Sequence, residues 1–266
     1  MRIVIIPILL STTLILATDV SAISCGPQRT SSGAVTIGVA ELYTSEGCDS
    51  CPPADKWFSS LNVKKDGVVP LVFHVDYWDY IGWKDRFANT IFTERQRESV
   101  KRQGGRTSYT PQVIVNGQDL RPWSDQSRFG ASSKSLAART PRANLALDLS
   151  APGSVLDVVV TASVTQIPDR ADTALFLAIT ESNLSSRVTA GENRGATLKH
   201  DHVVRALYGP LGDEAKDRTS GMWEIKRPIP LGQDWKRKDL SLVAFVQNLR
   251  TGEIYQAVSA PLCAVL

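Results

Sequence analysis

The sequence predicts an α/β layer domain followed by a mostly antiparallel β domain of sandwich type. Three observations carry this. Residues 35–140 alternate β-rich runs with helical patterns. A Cys-x-x-Cys pair, Cys48 and Cys51, stands at one of the strand-to-helix junctions. After Arg142 the texture changes to period-two alternation, as in Asn144-Leu145-Ala146-Leu147-Asp148-Leu149.

The chain opens with Met1-Arg2, an apolar run from Ile3 to Ala17, and Asp19-Val20-Ser21-Ala22. A positive start, a short apolar core and small residues at the end predict a signal peptide over 1–22, cleaved after Ala22. The run falls short of the roughly 20 residues a membrane span needs, and Pro7 interrupts it. An uncleaved anchor is one alternative. Lipidation of Cys25 is another, but Ala22-Ile23-Ser24 lacks the leucine of a lipoprotein signal. The expectation is an exported protein with no membrane span after cleavage, and residues 23–34 read as a polar linker.

The first domain is expected over 35–142. Val35 to Tyr43 is a strand. Pro52 and Pro53 mark a helix start, because proline is tolerated only in a first turn. Ala54, Trp57, Phe58 and Leu61 follow at i, i+3, i+4, i+7, so Pro53 to Leu61 is a helix with one buried face. Val68 to Val75 is a strand buried on both faces. An aromatic loop, Tyr77 to Asp85, leads to a charged helix from Phe87 to Arg102 that Gly104-Gly105 stops. A short strand lies between Pro111 and the Asn116-Gly117 turn, and a helix spans Ser127 to Arg139. The second domain, 143–266, is expected to hold strands at Val155 to Val164, Thr173 to Thr180, Leu240 to Val246 and Glu253 to Ala257.

With 266 residues, 42% of them hydrophobic, the chain is long enough for two domains with their own cores. The net charge of +3 is not gathered into a basic run, so nothing favours nucleic acid as a partner. Export makes the four cysteines, Cys25, Cys48, Cys51 and Cys263, candidates for disulfides, and four permit three pairings. If Cys48 pairs with Cys51, a Cys25–Cys263 bridge would tie the two ends of the mature chain together. Otherwise Cys25 is lipidated or free and Cys263 is a small buried hydrophobe.

Cys48-x-x-Cys51 at a strand-to-helix junction, with Thr110-Pro111 before a later strand, resembles the thioredoxin superfamily. A closer resemblance rests on Glu41-Leu42-Tyr43-Thr44-Ser45-Glu46-Gly47-Cys48, Cys51-Pro52-Pro53-Ala54-Asp55, Phe73 to Asp85, and Tyr109-Thr110-Pro111-Gln112. It continues through Gly191-Glu192-Asn193, His200 to Arg205, and Val243 to Gln247. Over these stretches the chain is similar to a secreted bacterial family known only as domain of unknown function 1223. The resemblance implies a thioredoxin-like fold for 35–142 and a periplasmic or extracellular address, but no substrate.

On the superfamily pattern, Cys48 is the more exposed nucleophile and Cys51 resolves the mixed disulfide. Pro111 is the cis-proline that shapes a substrate groove, and Glu41 is a candidate buried proton relay. The activity implied is thiol-disulfide exchange with a protein or small-thiol partner, and no resident cofactor. Glu46 and Asp49 place negative charge near Cys48. The two prolines push the helix start towards Cys51, so Cys48 is expected to be a modest thiol. Thr110, Asp76, Tyr77 and Trp78 are candidates for the groove, with core capping as the alternative for Trp78 and Trp83.

Two other readings stay open. Cys48, Cys51 and His74 together suit Cu(I) or Zn(II), although His74 sits in an apolar run where a core histidine bonded to backbone is ordinary. His200 and His202 would share one face of a strand. The other reading is a binding module in which Cys48–Cys51 is only a staple. No His-Glu-x-x-His, Gly-x-Ser-x-Gly or phosphate-binding glycine loop is present, which argues against the commoner hydrolases and nucleotide enzymes.

Overall fold

The strand after the first helix, Val68–His74, is the one around which the sheet is laid out. In the computed structural model, which describes residues 25–212, 216–217 and 220–262, it is β3 of an ordered series. Before it come β1 (Cys25–Ser31), β2 (Gly38–Thr44), α1 (Pro52–Ser59) and α2 (Val63–Asp66). After it come α3 (Thr90–Arg102), β4 (Gln112–Val115), β5 (Gln118–Asp119) and α4 (Gln126–Ala137). The remainder is strand: β6 (Ala143–Ala151), β7 (Val155–Val164), β8 (Thr173–Glu181), β9 (Leu184–Arg187) and β10 (Thr197–His200). The series ends with β11 (Val203–Leu211), β12 (Lys216–Asp217), β13 (Met222–Pro230), β14 (Leu240–Asn248) and β15 (Ile254–Pro261). The expected signal peptide and Cys263 lie outside the described residues.

The fold is a mixed α/β, thioredoxin-like region followed by a larger, mostly antiparallel β region. The two share one eight-stranded sheet, ordered β15-β14-β8-β11-β3-β2-β4-β5. β2 and β11 run parallel to β3, while β4 and β8 attach antiparallel. The expected boundary at 142/143 is therefore crossed by a continuous sheet. A five-stranded antiparallel sheet, β1-β6-β7-β13-β12, stacks on the C-terminal half.

Side-chain alternation along each strand assigns the faces. Ala40 and Leu42 of β2 and Val72 of β3 pack with Ala54 and Phe58 of α1 and Phe129 of α4. Val39, Tyr43, Leu71 and Phe73 point the other way, towards Phe92 of α3, and are continuous with Phe176 of β8 and Phe245 of β14. Leu175, Leu177 and Ile179 of β8 face Leu147 and Val160 of the second sheet, which makes the sandwich core. At roughly 25 cal/mol per Å2 of apolar surface buried, each such Leu or Phe is worth about 2 kcal/mol.

Two expectations need correction. Residues 25–31 are not linker but strand β1, paired to β6 with an irregularity between Cys25 and Gln28. A polar run with Pro27 can serve there because β1 is an edge. The charged helix begins at Thr90 rather than Phe87, because the Asn89 side chain accepts the Ile91 N–H and caps it. Among the described residues no helix is long and apolar enough to cross a membrane.

Candidate functional site

The chain leaves β2 at Thr44 and turns twice before α1. Cys48 N–H donates to Ser45 O and Cys51 N–H to Cys48 O, both at 3.2 Å. Cys51 is the N-cap of α1, with Pro52 and Pro53 as its first two residues. Both prolines lack an N–H, and the amides of Ala54 and Asp55 are spent on Cys51 O. No amide at this helix start is left for a sulfur, so the usual means of stabilising a thiolate is missing.

Cys48 and Cys51 are joined in a disulfide, with Cα atoms 5.5 Å apart. Cys48 is not the exposed member of the pair: it is 1% exposed and Cys51 0%. What covers them is the turn between β9 and β10, which form a separate two-stranded hairpin. Asn193 Nδ2 donates to the carbonyl oxygens of Glu46 and Cys48, at 2.9 Å each. Glu192 accepts the Asp49 N–H at 3.1 Å. Gly191 has φ +72°, and a Cβ there would stand 3.1 Å from Ile81 Cδ1, so the turn closes down on the aromatic loop only as glycine.

The Thr110–Pro111 peptide is cis. Gln112, next in the chain, pairs with Tyr43, so Pro111 lies at the end of the sheet from which the cysteine turn departs. Trp78 Nε1 donates to Thr110 Oγ1 at 2.7 Å, and its Cβ packs beside Gly47. Thr110, Pro111 and Trp78 thus come together near the cysteine turn. Asp76 does not join them: both its oxygens are held by Thr90 and Thr93 hydroxyls at 2.6 Å. Tyr77 packs against the core on the α3 side.

Glu41 is buried on the α3 side of the sheet, the face opposite α1. Arg95 Nη2 reaches it at 2.6 Å and the Tyr43 hydroxyl at 2.5 Å. Burial alone would lower the Arg95 pKa, but Glu41 raises it above the ordinary value. The acid beneath the cysteine helix is instead Asp55, on α1 itself.

Asp55 belongs to a buried polar cluster that sequence reasoning did not assemble. His74 lies opposite Thr44 in the β2–β3 register, on the α1 face. His200 comes from β10 through the hairpin, and the two imidazoles meet edge to face with centroids 5.0 Å apart. One ligand-capable atom each from Asp55, His74 and His200 lies within 4.8 Å of the other two. Every one of the three is held from behind. Thr44 Oγ1 donates to Asp55 Oδ2 at 3.0 Å, Asp85 Oδ2 sits 2.6 Å from His74 Nδ1, and Glu46 Oε1 sits 3.2 Å from His200 Nε2. Asp55 Oδ1, His74 Nε2 and His200 Nδ1, the atoms not engaged by these supports, are buried without a hydrogen-bond partner.

The electrostatics follow from this packing. Burial raises the Asp55 pKa, and the two histidines offset only part of it. Burial would lower the His74 pKa, but the Asp85 carboxylate holds it above the usual value. Asp85 is in turn held low by His74, against its own burial. Glu46 is held low by its hydrogen bond to His200, also against burial. Glu46 is further engaged by Trp83 Nε1 at 2.8 Å, so its charge is answered within the cluster and not turned on Cys48.

His74 therefore bonds a carboxylate rather than backbone. His202 does not share a face with His200, because the strand ends at His200 and His202 has φ +58°. Nor are Cys48, Cys51 and His74 a ligand set here, since sulfurs joined to each other are not thiolates. Asp55 carries a signal in the sequence: it is an acid beside Ala54 and one turn before Phe58, on the apolar side of α1. An open pocket of about 360 Å3 beside α1 is lined by Pro52, Asp55, Lys56, Thr197, Lys199 and His200. A larger cavity, about 770 Å3 between Trp57, Lys64 and Phe129, holds none of these site residues.

The fold is shared with solved structures. Protein AGR_C_4864 from Agrobacterium tumefaciens is 23% identical, with TM-score 0.62, over 88% of this chain and 98% of its own. HBP35 of Porphyromonas gingivalis is 19% identical, with TM-score 0.66, over 86% of this chain and 76% of its own. No curated protein matches the chain. The model of the family described as "Protein of unknown function (DUF1223)" matches residues 39–247, and the chain belongs to that family.

Proposed function

We propose that the chain is an exported, thioredoxin-like binding protein whose Cys48–Cys51 disulfide is a staple and not an open exchange centre. One observation carries the reading: Cys48 is 1% exposed and lies beneath the Asn193 turn. Exchange requires a thiolate to reach a sulfur in line with the S–S bond, and a sealed sulfur cannot be reached. The prolines of α1 act in the same direction, by leaving no amide to stabilise a thiolate. Export rests on Met1-Arg2, the apolar run to Ala17 and the small residues ending at Ala22.

A redox equilibrium with glutathione tests this. The expected result is a Cys48–Cys51 potential below about −300 mV, beyond reach of the glutathione pool. Catalytic turnover of a disulfide substrate, abolished by Cys48→Ser, would overturn it. That outcome belongs to a second reading, supported by Thr110, Pro111 and Trp78 lying at the end of the sheet from which the cysteine turn departs. There the β9–β10 hairpin swings away and a thiol reductant opens Cys48–Cys51, itself becoming a disulfide. The Cys48 thiolate then attacks a substrate disulfide, releasing one substrate thiolate, and Cys51 displaces the other, with Pro111, Thr110 and Trp78 forming the groove.

A further inference from the structure

We propose that Asp55, His74 and His200 form a binding site for a divalent first-row transition-metal ion, with Zn(II) as the reference ion. The proposal gives the binding-module reading a ligand, and rests on it only in treating Cys48–Cys51 as a staple. Three polar atoms, Asp55 Oδ1, His74 Nε2 and His200 Nδ1, are buried with no partner. Leaving one such atom unpaired costs about 1–3 kcal/mol, so three in one cluster is a large penalty to leave without a compensating ligand.

The outer atoms of the same residues point to the same ligand. A metal-bound histidine characteristically gives its second ring nitrogen to a carboxylate, which fixes the ring and its tautomer. Here both do: His74 Nδ1 to Asp85 and His200 Nε2 to Glu46. The third ligand, Asp55, is steadied by Thr44. Three carboxylates surround two imidazoles, which leaves a net negative charge for a dication to neutralise when both rings are neutral.

Geometry and access also fit. One ligand-capable atom from each of the three residues lies within 4.8 Å of the other two. Tetrahedral ligands about 2.1 Å from zinc stand roughly 3.4 Å apart, so a contraction of up to about 1.4 Å between ligand atoms closes the site. Imidazole nitrogen with one carboxylate selects Zn, Fe, Ni or Cu over Mg or Ca. Asp55 and His200 also line the open pocket beside α1, which supplies an entry route and room for a further, exogenous ligand. The staple contributes by fixing the start of α1: Asp55 N–H bonds Cys51 O, so the disulfide holds the Asp55 backbone in place.

The test is titration of the chelator-treated mature protein with Zn(II), followed by calorimetry, and with Co(II), followed by visible absorption. The expected result is one equivalent bound, with the visible bands of a low-coordinate Co(II) site. Peptide mapping of the loaded protein should find Cys48 and Cys51 still joined and unalkylated. His200→Gln and Asp55→Asn should each weaken binding at least a hundredfold, and Glu46→Gln about 10–100-fold through His200. Near-UV circular dichroism checks that each variant is folded. Absence of binding at 100 µM metal in folded wild-type protein overturns the site, as does affinity unchanged in folded His200→Gln. Binding that appears only after Cys48–Cys51 is reduced also overturns it, in favour of thiolate ligands. A readily reduced disulfide beside intact metal binding overturns the staple alone.

Discussion

Arg95 Nη2 and Glu41 Oε1 meet at 2.6 Å inside the protein, with side chains only 7% and 5% exposed. Arg95 also reaches Gln247 on β14 and lies over the rings of Phe73, Phe176 and Phe245. It thus ties the α/β strands to the later ones. Removing one partner leaves the other charge buried and unpaired. Arg95→Met should destabilise the fold by about 3–5 kcal/mol, and adding Glu41→Gln should recover most of the loss. Urea unfolding of the two variants checks this; equal losses would refute it.

Asn193 closes the hairpin over the cysteine turn with two hydrogen bonds from one amide. At about 1 kcal/mol each, their loss in Asn193→Ala should raise the opened fraction about thirtyfold. Reduction of Cys48–Cys51 by dithiothreitol should accelerate to match, as followed by quenched alkylation. An unchanged rate would mean that the hairpin is not the barrier.

Tyr109 donates to Asp119 at 2.8 Å and accepts from Arg121 Nε at 2.7 Å. Burial, and then its bond to Asp119, push the Tyr109 phenol up to about 12. In the unfolded chain it ionises near the ordinary value of about 10. The folded state holds its proton longer, so the contribution is complete below about pH 10 and lost as pH rises towards 12. Unfolding free energies across that range should fall more steeply in wild type than in Tyr109→Phe.

The two ends of the described chain lie together: Gln28 Nε2 donates to Leu262 O at 2.5 Å. Peptide mapping without reductant is expected to recover a Cys25–Cys263 link. Such a bridge would close a very long loop, so replacing both by serine should then cost about 2–4 kcal/mol. A free thiol or a lipid on Cys25 would refute the pairing.

Much of the fold was legible because its elements carry strong local signals. The prolines after Cys51 set the start of α1, and the alternation from Val155 to Val164 is the full length of β7. β1 and the β9–β10 hairpin carry no legible signal because they are short and polar, so no face repeats long enough to be read. The superfamily pattern implies that Glu41 lies beneath the cysteines. Strand alternation puts it on the opposite face from Leu42 and Thr44, and nothing local says which face receives α1. The Asp55–His74–His200 cluster was illegible for another reason. His200 arrives through a hairpin, and only the tertiary structure sets it against β3.

The insertion of β11 between β3 and β8 has a bearing on how the chain is made. Val72 finds its neighbour Val203 only after most of the polypeptide has been synthesised. Until then the most apolar strand of the first half is a bare edge, ready to pair with any passing strand. A chain cut short after residue 142 would thus be no smaller working protein but a sticky fragment. Premature stops and early proteolytic nicks should therefore surface as inclusion bodies.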